Sequence, residues 1–184
     1  MRQDAGVTDD GHRVCRGCGA RFARTPWALD QDLRAAPECW RTWGELSGFA
    51  LDHREVTDTV SQLAVDAYGA QHAGAPTPAI RVAYSLAGLH LALDRGVDGL
   101  SVRRAHQDLG RPQDWWPVFE PPATPAALTV LDVLAAGAGA AAGAGSAQGH
   151  VDAVRGWAAA VWESWAPRHA DVALLVDRVL PGRF

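Results

Sequence analysis

Residues 57–72 read TDTVSQLAVDAYGAQH, and the fold class follows from how this stretch is spaced. Apolar and small residues recur at three-to-four intervals, as on a packed helix and not on an alternating strand. Thr57 and Asp58 are both good first residues, because a short side-chain oxygen there accepts from a free backbone amide. Gly74 and Pro76 end the segment. Helices of this kind recur on both sides. Pro37 opens one that carries Trp40, Trp43, Leu46 and Ala50 and runs to about Leu51. Another runs from about Pro78 to Asp94, with Ile80, Val82, Leu86, Leu89 and Leu93 on its apolar positions and Gly96 as its stop.

Ser101 to Leu109 reads as a short helix. Residues 111–125 hold five prolines and the Trp115-Trp116 pair, and read as an extended connection. Thr124 with Pro125 suits the start of a helix carrying Leu128, Leu131 and Leu134. A last long helix, about Val151 to Val179, contains Pro167, which breaks or kinks it. No stretch shows convincing strand alternation. The expected fold is therefore mainly α: a helical bundle preceded by an irregular segment. Residues 1–12 are polar and read as a flexible N-terminus, and residues 13–184 as a single helical domain. Within it, 13–40 form a zinc knuckle and 135–149 an Ala/Gly-rich internal linker.

Composition excludes several functions. The chain has 184 residues, enough for one core without a disulfide framework, and a formal net charge of -4, which does not suit general nucleic-acid binding. All 17 basic residues are Arg, there is no Lys or Asn, and Ile80 is the lone isoleucine, as in a protein from a GC-rich bacterial genome. Without Lys there is no Schiff-base lysine and no Walker-type phosphate loop. No apolar run has the large side chains of a membrane span, nothing after Met1 resembles a secretion signal, and three cysteines suit no disulfide scaffold, so a cytoplasmic setting is expected.

The chemistry concentrates at Cys15-Arg-Gly-Cys18-Gly. Two thiolates at this spacing chelate one ion, and Gly17 and Gly19 let the backbone turn beneath them. Cys39 offers a third thiolate, which leaves one tetrahedral position for His72, His53, His12 or water. Zinc is the expected cofactor. The competing readings are Cys39 as a buried hydrophobe beside Trp40 and Cys15/Cys18 as a redox pair, although no βαβ context follows them.

At 100° per residue, Ser61, Val65, Tyr68 and His72 share one stripe, with Gln62 and Asp66 on a neighbouring face. One reading makes this a polar wall with His72 as ligand or general base and Tyr68 orienting it. The other has His72 capping the helix C-terminus and Tyr68 in the core. His90 reads as a core residue, His106 and His150 as solvent-facing or linker-borne, and His169 as able to face a central pocket. Most of the eight tryptophans are explained by packing, whereas Trp115, Trp116 and Trp165 could wall a small-molecule site.

Taken together, Cys15-Arg-Gly-Cys18-Gly-Ala, Glu38-Cys39-Trp40, Val65-Asp66-Ala-Tyr68-Gly-Ala-Gln71-His72, Phe119-Glu120-Pro121-Pro122, Thr129 to Leu134 and Trp157 to His169 resemble an uncharacterised bacterial family known only as a domain of unknown function. The resemblance implies that Cys15, Cys18, Cys39, Asp66, Tyr68, Gln71, His72 and His169 are family positions, and it supplies no activity. It also implies a diverged member, since Ser61, Ser85 and Arg168 stand where histidine is usual. Besides a purely structural subunit, two functions stay open. One is an enzyme using His72, Asp66, Tyr68 and His169, with Ser61, Ser85 and Gln71 on the wall of one pocket. The other is a zinc-stabilised module that binds a small molecule or a protein.

Overall fold

The computed structural model describes residues 11–25, 33–109, 116–139 and 147–184. The protein is mainly helical, with seven helices among the described residues behind a small N-terminal hairpin. In the hairpin, β1 (His12–Val14) pairs antiparallel with β2 (Arg21–Ala23), Arg13 opposite Phe22. Strands of three residues are too short to show alternation, so the sequence does not announce them. Gly19 turns the chain back with φ +76°, a conformation that suits glycine, and its amide donates to the Cys15 carbonyl at 2.8 Å.

Helix α1 (Pro37–Asp52) starts on its proline, as the sequence predicts. Helix α2 (Arg54–Gln71) starts three residues before the expected Thr57. The difference has a local cause. Only His53 separates the two helices, and its carbonyl accepts from the amides of Val56 and Thr57 at 3.0 Å each, so no side-chain cap is required. The Thr57 hydroxyl instead donates back to the Ala50 carbonyl and ties the helices together.

Helix α3 (Ala79–Leu89) continues into a π-helical turn, His90–Asp94. Such turns widen the helix and re-aim its side chains. Here Asp94 accepts from Trp162 Nε1 at 2.9 Å and pairs with His90 Nδ1 at 2.8 Å. Helix α4 spans Gly99–Leu109. Helix α5 spans Val130–Gly139, starting later than the Thr124 start that the sequence suggests. Thr129 and Asp132 form the actual cap: Asp132 Oδ2 accepts from Thr129 N at 2.7 Å, and Thr129 Oγ1 accepts from Leu131 N at 3.2 Å. The prolines upstream keep that chain extended. Helix α6 (Ala147–Ser164) is separated from α7 (His169–Val179) by a 3₁₀ turn, Ala166–Arg168, at the predicted Pro167 break.

Helix α2 is the hub. It packs against α6, α3, α4 and α1. Ala64, Ala67, Ala70 and Gly69 are buried along it, and their small size lets neighbours approach from several sides. No helix of the described residues is long and apolar enough to cross a membrane.

Candidate metal centre

Three separated stretches of chain bring four ligands together. The turn between β1 and β2 supplies Cys15 and Cys18, the first turn of α1 supplies Cys39, and the C-terminal end of α2 supplies His72. One ligand atom from each lies within 4.8 Å of all the others. All four residues are buried, none more than 3% exposed. The three cysteines are free thiols.

The spacing can be tested against an ion. Zn–S near 2.3 Å and Zn–N near 2.0 Å in a tetrahedron require sulfur atoms about 3.8 Å apart and sulfur-to-nitrogen distances of about 3.5 Å. Cys18 Sγ lies 3.8 Å from Cys39 Sγ, and His72 Nε2 lies 3.4 Å from Cys15 Sγ and 3.3 Å from Cys39 Sγ. The imidazole is oriented for the task. His72 Nδ1 donates to the Tyr68 carbonyl at 2.8 Å, which leaves the Nε2 lone pair facing the sulfurs. The Ala36 amide donates to Cys15 Sγ at 3.4 Å, and the Tyr68 hydroxyl points at Cys39 Sγ from 3.7 Å. A Cβ on Gly17 would lie 2.3 Å from His72 Cδ2 and 2.7 Å from the Arg34 carbonyl oxygen, so only glycine lets the knuckle close on the ring.

The electrostatics agree. Thiol hydrogen bonds from Cys18 and Cys39 hold Cys15 far below the usual thiol range. The same contact with Cys15 pushes Cys18 up to about 12 and Cys39 higher still. One thiolate is favoured in this buried set, and it disfavours charge on the other two thiols. Burial pushes the Tyr68 phenol up as well. The cluster is thus a closed Cys3His donor set of the kind that binds zinc.

The surroundings hold it rigidly. Glu38, buried beside Cys39, accepts from the Thr25 amide at 3.2 Å and pairs with Arg13 at 3.6 Å, which fastens the hairpin to α1. Thr77 Oγ1 donates to the His72 carbonyl at 2.6 Å and accepts from the Arg34 amide at 2.9 Å. Sequence reasoning gave neither residue a role, because both act through partners distant in the chain. The Glu-Cys pairing at 38–39 was the available signal.

Of the proposed fourth ligands, His72 is the one in the cluster. His53 Nδ1 bonds the Phe49 carbonyl at 2.9 Å with its ring stacked on Phe49, and His12 lies in β1. His72 is also the C-cap residue of α2, and it is fully buried.

The single pocket expected around His72 is not what the structure assembles. Tyr68 stacks on Trp43, lies tilted against His72 and faces Cys39 Sγ. His169 lies against Trp162, ring on ring at 3.8 Å, with Nε2 2.9 Å from the Trp162 carbonyl oxygen. Ser61 donates to the Thr57 carbonyl and accepts from Arg103. Asp66 and Ser85 lie at the α2–α3 contact, where Asp66 Oδ1 accepts from Gln62 at 3.1 Å. The stripe on α2 is continuous, but its covering is not: the knuckle covers Tyr68 and His72, while Ser61 meets Arg103 of α4 and Val65 is exposed. Gln71 accepts from Trp157 Nε1 at 3.0 Å and donates to the Leu128 carbonyl at 2.7 Å.

Of the expected aromatic wall, two members are described, and each has a packing partner of its own. Trp116 packs edge-on against Tyr84, Trp165 meets Phe119, and Trp115 lies outside the described residues. His106 and His150, expected to be solvent-facing or linker-borne, instead lie on α4 and α6 and are largely buried. His106 is enclosed between α2 and α3, and His150 stacks on Phe49.

The profile of the Family of unknown function (DUF5946) matches residues 13–166, most of the chain, and the chain belongs to that family. No curated protein and no solved structure matches it.

Proposed function

We propose that this member of the family is a zinc-stabilised helical binding protein whose Cys15, Cys18, Cys39 and His72 hold a structural ion. The observation that carries this reading is closure. Four buried candidate ligands, their donor atoms all within 4.8 Å of one another, are the full number that a tetrahedral ion takes, which would leave no position for water or substrate. Catalytic zinc keeps such a position open, so the enzyme reading through His72 and Tyr68 loses its reacting site. When bound, the ion supplies a cross-link between the hairpin, α1 and α2, and charge balance for the thiolates. This chain's own residues orient the imidazole through the Tyr68 carbonyl and exclude water with Trp43, Tyr68 and the knuckle backbone.

The reading as a diverged member has support in how the three replacement positions are used. Ser61 is occupied with Arg103 of α4, Arg168 at the end of the 3₁₀ turn pairs with Asp171 in the first turn of α7, and Ser85 lies buried on α3, so each is engaged in a different place.

Elemental analysis of protein purified without chelator is expected to give one zinc per chain. Cobalt-substituted protein is expected to show the intense near-ultraviolet thiolate charge-transfer and visible bands of a tetrahedral thiolate-rich site. Absence of stoichiometric metal, or a cobalt spectrum indicating a bound water, would reject the structural-ion reading.

A further inference from the structure

The proline-rich Glu120-Pro121-Pro122 stretch and the arginine between the first two cysteines have no part in holding a metal, yet the fold brings them together. A crevice of about 120 Å³ beside the knuckle is lined by Arg16, Arg34, Pro121, Pro122, Pro125 and Trp165, among others. Its lining carries two guanidinium groups, which stay charged at any physiological pH, and no carboxylate. Arg13, Arg95 and Arg168 each pair with a carboxylate. Among the described residues none pairs with Arg16 or Arg34. Glu120, next to Pro121 in sequence, is exposed and does not line the crevice.

Arg34 is held in place for a ligand. Its Nη1 donates to the Ala73 carbonyl at 3.1 Å, just past the end of α2. A Cβ on Gly74 would lie 3.1 Å from that Nη1 and 3.4 Å from Pro121 Cγ, so the guanidinium runs close over the glycine beside the proline wall. This contact uses one of its five N–H donors, and the side chain is only half-buried. Arg16 is exposed and stands on a segment in direct contact with that of Arg34: a Cβ on Gly17 would lie 2.7 Å from the Arg34 carbonyl oxygen.

These groups define the ligand's chemistry. A guanidinium is a planar fork of donors that matches the paired oxygens of a carboxylate or a phosphate, and it is more easily dehydrated than an ammonium. Fixing one before the ligand arrives lowers the ordering cost of binding. The volume limits the ligand's size. At about 30 Å³ per water the crevice has room for about four waters, which suits one oxyanion group and no larger body. Ala123 and Pro125 are exposed, so the rest of a molecule would leave past them into solvent.

We propose that this crevice binds the oxyanion group of a small molecule, a phosphate or a carboxylate, between Arg16 and Arg34, with Pro121 and Pro122 as its rigid apolar wall. The inference goes beyond the metal reading, because the crevice is built from arginines and prolines and not from the four candidate ligands.

The probes are inorganic phosphate and acetate, titrated separately into full-length protein of measured metal content. Ionic strength is held constant with a chloride salt, and amide chemical shifts are followed. At least one probe is expected to give saturable shifts at Arg16, Gly17, Arg34 and Ala123, and which one does so tells a phosphate site from a carboxylate site. Arg16→Gln is expected to weaken that binding about tenfold, the worth of one charge-assisted hydrogen bond, with zinc content and thermal stability unchanged. Arg34→Gln should weaken it as much. That variant also loses the Ala73 contact, so Arg16→Gln decides if it fails to fold. Arg41→Gln removes the same charge from the outer face of α1, where Glu45 is its partner, and is expected to bind like the wild type. No saturable shift with either probe, shifts confined to another part of the chain, unaltered binding by Arg16→Gln, or an equal loss in Arg41→Gln would each overturn the proposal. Protein that binds the anion but holds no zinc would count against the metal reading alone.

Discussion

Asp66 on α2 lies against Gly88 on α3, and Ser85 on α3 lies against Gly69 on α2. Each helix thus contributes one polar side chain and, three residues away, one glycine that receives its neighbour's side chain. The two helices approach closely because neither contact has to accommodate a Cβ. A Cβ at residue 69 would lie 2.1 Å from Ser85 Oγ, and one at residue 88 would lie 2.1 Å from Asp66 Oδ2.

The two glycines are expected to respond differently to substitution. Ser85 can rotate its hydroxyl away, whereas Asp66 is held by Gln62. Gly88→Ala should therefore cost about 1–3 kcal/mol, as overpacking does, and Gly69→Ala less. Combining Gly69→Ala with Ser85→Ala should recover most of that smaller loss. Denaturant titrations of the three variants measure this, and an unrescued double variant would mean that the backbone has moved.

Cys18→Ser and His72→Ala should destabilise to a similar extent, because each removes one of four ligands from the same closed set. Thermal melts with and without chelator test this. Chelator should lower the wild-type melting temperature sharply and shift the two variants little. A much smaller effect of His72→Ala would place the histidine outside the donor set.

Thr77→Val keeps the shape of the side chain and removes both of its hydrogen bonds, leaving the His72 carbonyl and the Arg34 amide without that partner. The expected cost is about 1–3 kcal/mol, with faster release of metal to a colorimetric chelator. An unchanged release rate would show that Thr77 supports the loop and not the ligand.

His106 makes a pH prediction. Burial lowers it in the folded state to about 4 from an ordinary 6.5. Between those values the unfolded chain binds a proton that the folded chain does not, so stability falls as the pH falls. The part due to His106 reaches about 3 kcal/mol at most. His106→Gln should lose that part of the acid limb, so the variant and the wild type should converge in stability on going from about pH 7.5 to about pH 5. Parallel stability curves would show that His106 is protonated without unfolding.

The helical architecture is legible in the sequence because its signals are local: Pro37 at a first turn, Gly96 after a last one and Pro167 at a break. The start of α5 is missed because Thr124-Pro125 and Thr129-x-x-Asp132 both read as caps, and only the extended proline chain decides between them. Cys15, Cys18 and Cys39 are legible as ligands from spacing and residue type. Choosing His72 over His53 and His12 depends on how α1 and α2 fold back on the hairpin, a nonlocal fact. The same holds for His106: nothing in its own helix shows that α2 and α3 enclose it. The expected convergence of His72, Ser85 and His169 treats α2 as if one neighbour covered its whole length. It has several, and they divide its polar residues between separate environments.

The ligand pair Cys15 and His72 spans 57 residues that include the hairpin turn, all of α1 and all of α2. No local fragment can hold the complete donor set. If the cluster holds the ion proposed above, a chain whose α1 and α2 have not docked offers only part of the donor set, so tight binding would require the assembled fold. On that reading, metal occupancy would record chains that have finished folding, and without the ion the N-terminal hairpin would lose its tie to α1 and α2 and become the first segment open to proteases.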